Sequence, residues 1–331
     1  MEKKIMKNYK VNNSILDLVG STPLMLLEAF SDNDVRIFAK IEGFNPGGSM
    51  KDRPGLNMIN IAEEKGILKP GGRIIESSSG NLGIALAMIG AVKGYQVHCV
   101  VDPRISTTNL KIMRAYGATI DMVSRPDNYG GYQQARIDRV KELLEVYEDA
   151  YWPNQYDNKG NPGAHYKGTA FEIYNALGED VDYLVIPVSS AGLVTGCGLF
   201  VKNHMKKTKI IAVDAKGSTI FGGCASARRM TGIGGNVTPP NLKRELIDEV
   251  FHVNDDESVQ MCEQIIKNES LLVGPSSGAA LFTALKLKEN IKGKKNIVVI
   301  FPDNGDRYLD GLLDVFCTKN NRKVNIENLA Y

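Results

Sequence analysis

The 331-residue chain has little of what marks a metalloprotein, a disulfide scaffold or a membrane protein. Its five cysteines (Cys99, Cys197, Cys224, Cys262 and Cys317) are odd in number and far apart, and no C-x-x-C occurs. That spacing offers neither a zinc ribbon nor a thioredoxin-like motif, so reduced thiols in a cytoplasmic protein are expected. The histidines, His98, His165, His204 and His252, stand alone without H-E-x-x-H or a His/Cys cluster, so no metal is expected. His98 lies in an apolar run and reads as a core residue. Neither sign of charge is in excess: 40 Lys and Arg face 38 Asp and Glu, and the basic residues are scattered. Nothing there calls for nucleic acid or an anionic membrane as partner. The longest weakly charged run, Asn81 to Val92, is too short and too rich in Gly and Ala to span a bilayer. The opening MEKKIMKNYKVNNSIL carries charge but no apolar stretch, so no signal peptide is expected. Fixed-period repeats and low-complexity linkers are also missing.

What is present is the composition of a soluble globular protein, 43% hydrophobic and 24% charged, long enough for more than one core. Short β-rich runs are predicted at 36–41, 73–76, 96–101, 119–123, 183–188, 210–214, 271–273 and 296–301. Several are continuously apolar, as in parallel strands covered on both faces. Helix-length stretches fall between them at 55–65, 82–93, 108–116 and 132–147. This alternation predicts an α/β protein built on doubly wound sheets. A domain boundary is expected near 150–165, where YWPNQYDNKGNPGAHYKG is dense in Asn, Gly and Pro. Such junctions are common places for small-molecule sites.

Four segments carry candidate chemistry. In NPGGSMKDRP (45–54) two glycines permit close backbone approach, and Lys51 stands near a helix start. The positive end of a helix disfavours an ammonium, and a lysine of lowered pKa is what Schiff-base chemistry requires. A lone lysine is nonetheless usually a solvated surface group. In ESSSGNLG (76–83) the amides and the hydroxyls of Ser78 and Ser79 form a cradle for carboxylate or phosphate. The same residues also read as an ordinary Ser/Asn helix cap. PVSSAGLVTG (187–196) follows the apolar strand YLVIPV and precedes a helix, an arrangement that holds phosphate. Its spacing fits neither G-x-G-x-x-G nor the P-loop, which excludes dinucleotide and P-loop binding there. Finally, GPSSG (274–278) matches the nucleophile elbow G-x-S-x-G, but no histidine follows Ser276, so an α/β-hydrolase is excluded.

In order, NPGGSMKDRP, SSSGNLG, NQY, PVSSAG, GPSSGA and PDNGDRY resemble the fold type II pyridoxal-phosphate enzymes, the group of cysteine synthase and cystathionine β-synthase. The resemblance runs from about Ser14 to Tyr308. It implies two doubly wound domains of the tryptophan synthase β type. Residues 1–54 and 156–331 would form the larger, cofactor-binding domain, and 55–155 a smaller mobile one that closes over substrate, with TGIGGNV (231–237) in the gate. By the same resemblance Lys51 would hold pyridoxal 5′-phosphate as an internal aldimine and move the Cα proton. Asn81 would bond the 3′-oxygen, the loop Ser189, Ser190, Ala191, Gly192 and Leu193 the cofactor phosphate, and Ser276 the pyridine nitrogen. Ser78, Ser79 and Gln155 would grip the substrate α-carboxylate. A serine at the ring nitrogen leaves it largely unprotonated, which suits β-replacement through an α-aminoacrylate better than transamination. Two departures stand out: Ser189 to Leu193 replace the usual GTGGT, and Pro275 replaces a small residue beside Ser276.

Those departures, with AVDAKGSTIFG (212–222), VDPRISTTNLKIMRAYGA (101–118), GGYQQAR (130–136) and PDNGDRYLD (302–310), resemble a narrower branch. Its members join O-phospho-L-serine to the amino group of L-glutamate, within 2,3-diaminopropionate and siderophore biosynthesis. Arg136 would read the donor phosphate, with Tyr156 and Ser189 shaping the same pocket. The alternatives are a cysteine synthase or cystathionine β-synthase-like enzyme using sulfide or homocysteine, or a catalytically idle binding protein. A homodimer acting on small amino-acid substrates is expected from the resemblance. Arg228, Arg229 and Lys216 are unranked candidates for the glutamate side-chain carboxylate.

Overall fold

The computed structural model describes residues 11–126 and 132–319. Its strands are β1 (Leu24–Leu26), β2 (Val35–Ile41), β3 (Arg73–Ser77), β4 (Gln96–Val101), β5 (Thr119–Met122), β6 (Ala150–Tyr151), β7 (Tyr183–Pro187), β8 (Lys209–Ala215), β9 (Glu249–Val253) and β10 (Lys295–Phe301). One sheet has the order β1-β2-β10-β7-β8-β9 and is parallel except for β1. The other, β5-β4-β3-β6, is wholly parallel. The helices that position the site are α1 (Asp52–Glu64), α2 (Asn81–Lys93), α3 (Thr107–Ala115), α4 (Gln133–Val146), α5 (Gly160–His165), α6 (Phe171–Leu177), α7 (Gly192–His204), α8 (Asp255–Glu269) and α9 (Pro275–Lys288).

Both sheets are covered on two faces, as their apolar runs require. Val185, Ile211, Val213 and Val299 pack toward α8 and α9, through Ile265 and Leu281. The alternate residues Leu184, Ile186, Ala212 and Val298 pack the other way, against Ile173 of α6 and Val194 and Val201 of α7. In the second sheet, Ile74 and Val97 meet α1 and α2, whereas Ile75 and Val100 meet Val140 and Leu143 of α4. Each fully buried Val, Leu or Ile contributes about 1.5–3 kcal/mol. His98 is buried in the second sheet, edge-on to Tyr147 at 5.5 Å and 3.1 Å from Arg73.

Two expectations need correction. Residues 271–273 form no strand, and only Val273 makes an isolated bridge, to Asn304. Ser270 ends α8 in the left-handed conformation and Pro275 already opens α9, which leaves no length for a ladder. The helix after Lys51 starts at Asp52 rather than Gly55. Pro54 is tolerated there because first-turn amides have no intrahelical partner to lose. Three short strands were not expected: β1, β6 and β9.

The sheets place the site by a general rule. In open parallel sheets ligands bind beyond the carboxyl ends of the strands. Lys51 follows β2, Ser78 to Asn81 follow β3, Gln155 follows β6, Ser189 to Leu193 follow β7, and Asp303 follows β10.

Candidate active site

Lys51 immediately precedes α1, and its Nζ donates to Ser190 Oγ at 3.3 Å. Burial pushes its amine down to about 8, against the opposing pull of the Asp303 and Glu76 carboxylates. The lowered pKa matches the expectation, but its leading cause is desolvation, not the helix end. The glycines of NPGGS are also approached by the protein itself. Gly47 N donates to Asp52 Oδ2 at 2.5 Å, and Gly47 O accepts from Arg307 Nη2.

Three helices begin around this lysine without a capping side chain on the N-cap residue. At α7, Ala191 adopts φ 61° and the first-turn amides of Gly192, Leu193 and Val194 follow. A Cβ on Gly192 would overlap Asn161 Oδ1, so only glycine lets the loop lie this close. At α9, Gly274 and Pro275 lead into the buried Ser276. At α2, Gly80 precedes Asn81, while Ser78 Oγ accepts from Gly83 N at 3.0 Å. Ser78 is therefore partly a helix cap, as the plainer alternative held, and its hydroxyl hydrogen remains for a ligand.

Ser79 and Arg136 are brought together although 57 residues separate them. Arg136 Nη1 lies 2.8 Å from Ser79 Oγ and 2.8 Å from Asp102 Oδ2. Gly130 and Gly131, part of the expected GGY context, lie outside the described residues. Gln155 is buried, and its carbonyl accepts from Asn161 Nδ2 at 2.7 Å and Asn241 Nδ2 at 3.0 Å. Burial pushes the Tyr156 phenol up, with Arg136 opposing and Glu76 reinforcing the shift. Ser189 Oγ donates to Gly234 O at 3.2 Å, which ties the β7 loop to 231–237. Of the three acceptor candidates, Arg229 is held at the surface by Asp255 and Asp256. Arg228 donates to Gly217 O at 3.1 Å, and Lys216 is exposed.

Several residues of the site were not anticipated. Glu76 is fully buried, receives the Trp152 indole at 3.1 Å and Ser77 N at 2.8 Å, and leaves Oε2 without a partner. Burial pushes its carboxyl up to about 7 despite those bonds and Arg136. His165 is wholly buried, and burial, with Lys51 and Arg53 nearby, holds it well below the usual imidazole range. Asp303, Arg307 and Tyr308 converge on Asn81. The only sequence signal for the last group was PDNGDRY, a motif without an assigned task.

These features fit pyridoxal phosphate: a desolvated amine on Lys51, 3.3 Å from Ser190, and just beyond that serine a helix start whose Gly192, Leu193 and Val194 amides are open to an anion. The chain belongs to the pyridoxal-phosphate dependent enzymes, whose family profile matches residues 15–303. It is an enzyme of fold type II that uses pyridoxal phosphate. Among solved structures it is similar to O-ureido-L-serine synthase, at 32% identity over 92% of this chain and 96% of that one, with a TM-score of 0.88. It is similar as well to a hydrogen sulfide-producing enzyme from Fusobacterium nucleatum, at 34% identity, 90% and 100% coverage and a TM-score of 0.85. The O-acetylserine dependent cystathionine β-synthase from Helicobacter pylori matches at 33% identity, 91% and 98% coverage and a TM-score of 0.84. Among the described residues no group of three or more His, Cys, Asp or Glu could hold a metal ion, and no helix is long and apolar enough to cross a membrane.

Proposed function

We propose that the chain catalyses β-replacement on a serine-type donor, joining O-phospho-L-serine to the amino group of L-glutamate. The products are N-(2-amino-2-carboxyethyl)-L-glutamate and phosphate, the reaction of the synthases that feed 2,3-diaminopropionate into staphyloferrin B-type siderophores. The observation that carries this is Arg136, whose guanidinium stands 2.8 Å from Ser79, on the loop assigned to the donor carboxylate. A cation at that distance suits a phosphoryl leaving group, whereas an acetyl ester offers it no charge. Two of the similar enzymes, one named for making O-ureido-L-serine and one for its dependence on O-acetylserine, support the coarser reading of β-replacement.

Bound pyridoxal phosphate supplies the electron sink that makes the donor Cα proton acidic. Lys51 Nζ, near pKa 8, is neutral often enough at pH 7–8 to take that proton and hold it beside the reacting carbon. Ser78, Ser79, Gln155 and the α2 amides bind and orient the α-carboxylate. Ser189, Ser190, Ala191, Gly192 and Leu193 hold the cofactor phosphate, with amides replacing the missing threonine hydroxyl. Asn81 would bond the 3′-oxygen and Ser276 the ring nitrogen, where a neutral hydroxyl would leave that nitrogen largely unprotonated. Arg136 binds the departing phosphate, with Tyr156 and Ser189 walling the pocket. The smaller unit, 55–155, closes over the bound donor and excludes water.

The test is mass spectrometry of product formed from phosphoserine or O-acetylserine with glutamate, homocysteine and sulfide together. Phosphoserine should yield the glutamate adduct and inorganic phosphate. Arg136→Ala should lower kcat/KM for phosphoserine by about 10²-fold, the loss of a two-pronged charged contact. Equal use of both donors, with sulfide the better acceptor, would overturn the proposal in favour of a cysteine synthase.

A further inference from the structure

Asn81 opens α2, and protein groups hold both ends of its carboxamide. Arg307 Nη1 donates to Asn81 Oδ1. A guanidinium has donors only, so this contact decides which end of the amide is the oxygen. At the other end Asn81 Nδ2 donates to Asp303 Oδ2 at 2.6 Å. Tyr308 lies beside the same amide and donates its hydroxyl to that Asp303 oxygen at 2.5 Å. An amide nitrogen carries two hydrogens: Asp303 takes one, and the second, which the Tyr308 phenol oxygen adjoins, is the one a ligand would meet.

The clamp comes from PDNGDRY, more than 220 residues along the chain from Asn81. Asp303 and Arg307 are both buried. Arg307 is itself seated: its Nη2 donates to Gly47 O, and it crosses Gly48, at φ 77°, where a Cβ would run into the guanidinium. A carboxamide is nearly the same shape with oxygen and nitrogen exchanged, so sterics alone would not choose its orientation. Turned around, Asn81 would present a carbonyl oxygen to whatever its nitrogen now meets.

We infer that Arg307 and Asp303 are positioning residues that select one orientation of the Asn81 amide, so that it offers an N–H to the cofactor's 3′-oxygen. This rests on Asn81 being that oxygen's partner, as proposed above. Tyr308 supports Asp303, and the motif thereby acquires a task at the ring although none of its residues need bond the cofactor.

A mutant cycle on the full chain separates the two ideas. Apoprotein of wild type, Asn81→Ala, Arg307→Gln, Asp303→Ala and the doubles with Asn81→Ala is titrated with pyridoxal phosphate, following the visible absorption band and the apparent Kd. Asn81→Ala and Arg307→Gln should each weaken binding by roughly tenfold, the loss of one hydrogen bond to a charged group, and move the band in the same direction. Once Asn81 is alanine, Arg307→Gln and Asp303→Ala should each add less than twofold. Additive effects would overturn the inference, because Arg307 would then act through Gly47 and the fold. A change with Asn81→Ala but none with either clamp variant would also overturn it, leaving the role of Asn81 intact. No change with Asn81→Ala would sink the assignment of Asn81 itself. Urea midpoints of the apoproteins identify any variant that fails to fold, in which case the cycle of the other clamp residue decides between these outcomes.

Discussion

Lys51 and Arg53 stand two residues apart and are treated in opposite ways. The Arg53 guanidinium is matched on every side by carboxylates. It meets both Glu42 oxygens at 2.7 and 2.9 Å and both Glu172 oxygens at 2.6 and 2.7 Å. Lys40 adds a 2.6 Å bond to Glu172, and Thr22 a 2.9 Å bond to Glu42. Burial alone would push Glu172 up, yet the Arg53 and Lys40 contacts hold it at about 2. Around Lys51 the matching fails: one hydroxyl at 3.3 Å is its partner, and Glu76 and Asp303 each leave an oxygen unbonded. Here burial dominates, so the lysine falls toward 8 and Glu76 rises toward 7. Saturated charges lock β2, α1 and α6 together, whereas unsaturated ones retain the reactivity that chemistry needs.

The largest effect should come from Lys51→Ala, which removes the proton carrier and the cofactor attachment. Turnover should fall by at least about 10³-fold and borohydride should trap no cofactor, while the urea midpoint of the apoprotein is not lowered. Arg53→Met should do the reverse in kind. It strands the buried Glu42 carboxylate, leaves Glu172 to Lys40 alone, and costs about 3–5 kcal/mol of folding free energy by urea denaturation. Were the protein to tolerate it without loss, the contrast between the clusters would collapse.

Glu76→Gln sharpens the contrast through pH. The folded-state pKa of Glu76 is raised, so native Glu76 is favoured below 4.5 and that advantage is lost as pH rises through 7. At pH 8 the glutamine variant should be more stable than wild type by up to roughly 3 kcal/mol, and the gap should close as pH falls toward 4.5. Lys51 acts at the other end of the scale. With its pKa lowered from 10.5 to about 8, apoprotein stability should climb between pH 8 and 10.5, and Lys51→Met should abolish that slope. The smallest effect belongs to the exposed pair Lys267–Glu263 at 2.9 Å, where Lys267→Ala should change stability by no more than about 0.5 kcal/mol.

Most of the scaffold is legible in the residue pattern. The apolar runs YLVIPV and NIVVIF became the buried strands β7 and β10 because continuous apolarity can be satisfied only in a sheet covered twice. The short strands β1 and β6, of three and two residues, escaped because so few residues carry no period. In the candidate site, glycine and hydroxyl residues at strand ends pointed to Lys51, Ser78, Ser79 and the 189–193 loop, and the family resemblance pointed to Asn81. Glu76, Asn161 and His165 were not, since an acidic strand residue, an asparagine in a polar stretch and a solitary histidine look like surface or core positions. Only the packing of α5 beneath α7 reveals that Asn161 touches the loop of Ser190.

The order of the main strands β2, β3, β4, β5, β7, β8 and β10 and of the turns that follow them was legible in the sequence alone, because periodicity and turn residues act locally. Three matters were left to the tertiary structure: how far burial lowers Lys51, whether Glu76 finds a cation, and which way the Asn81 amide faces. Each depends on groups up to 226 positions distant, where dielectric surroundings and hydrogen-bond partners are set by packing and not by neighbours in the chain.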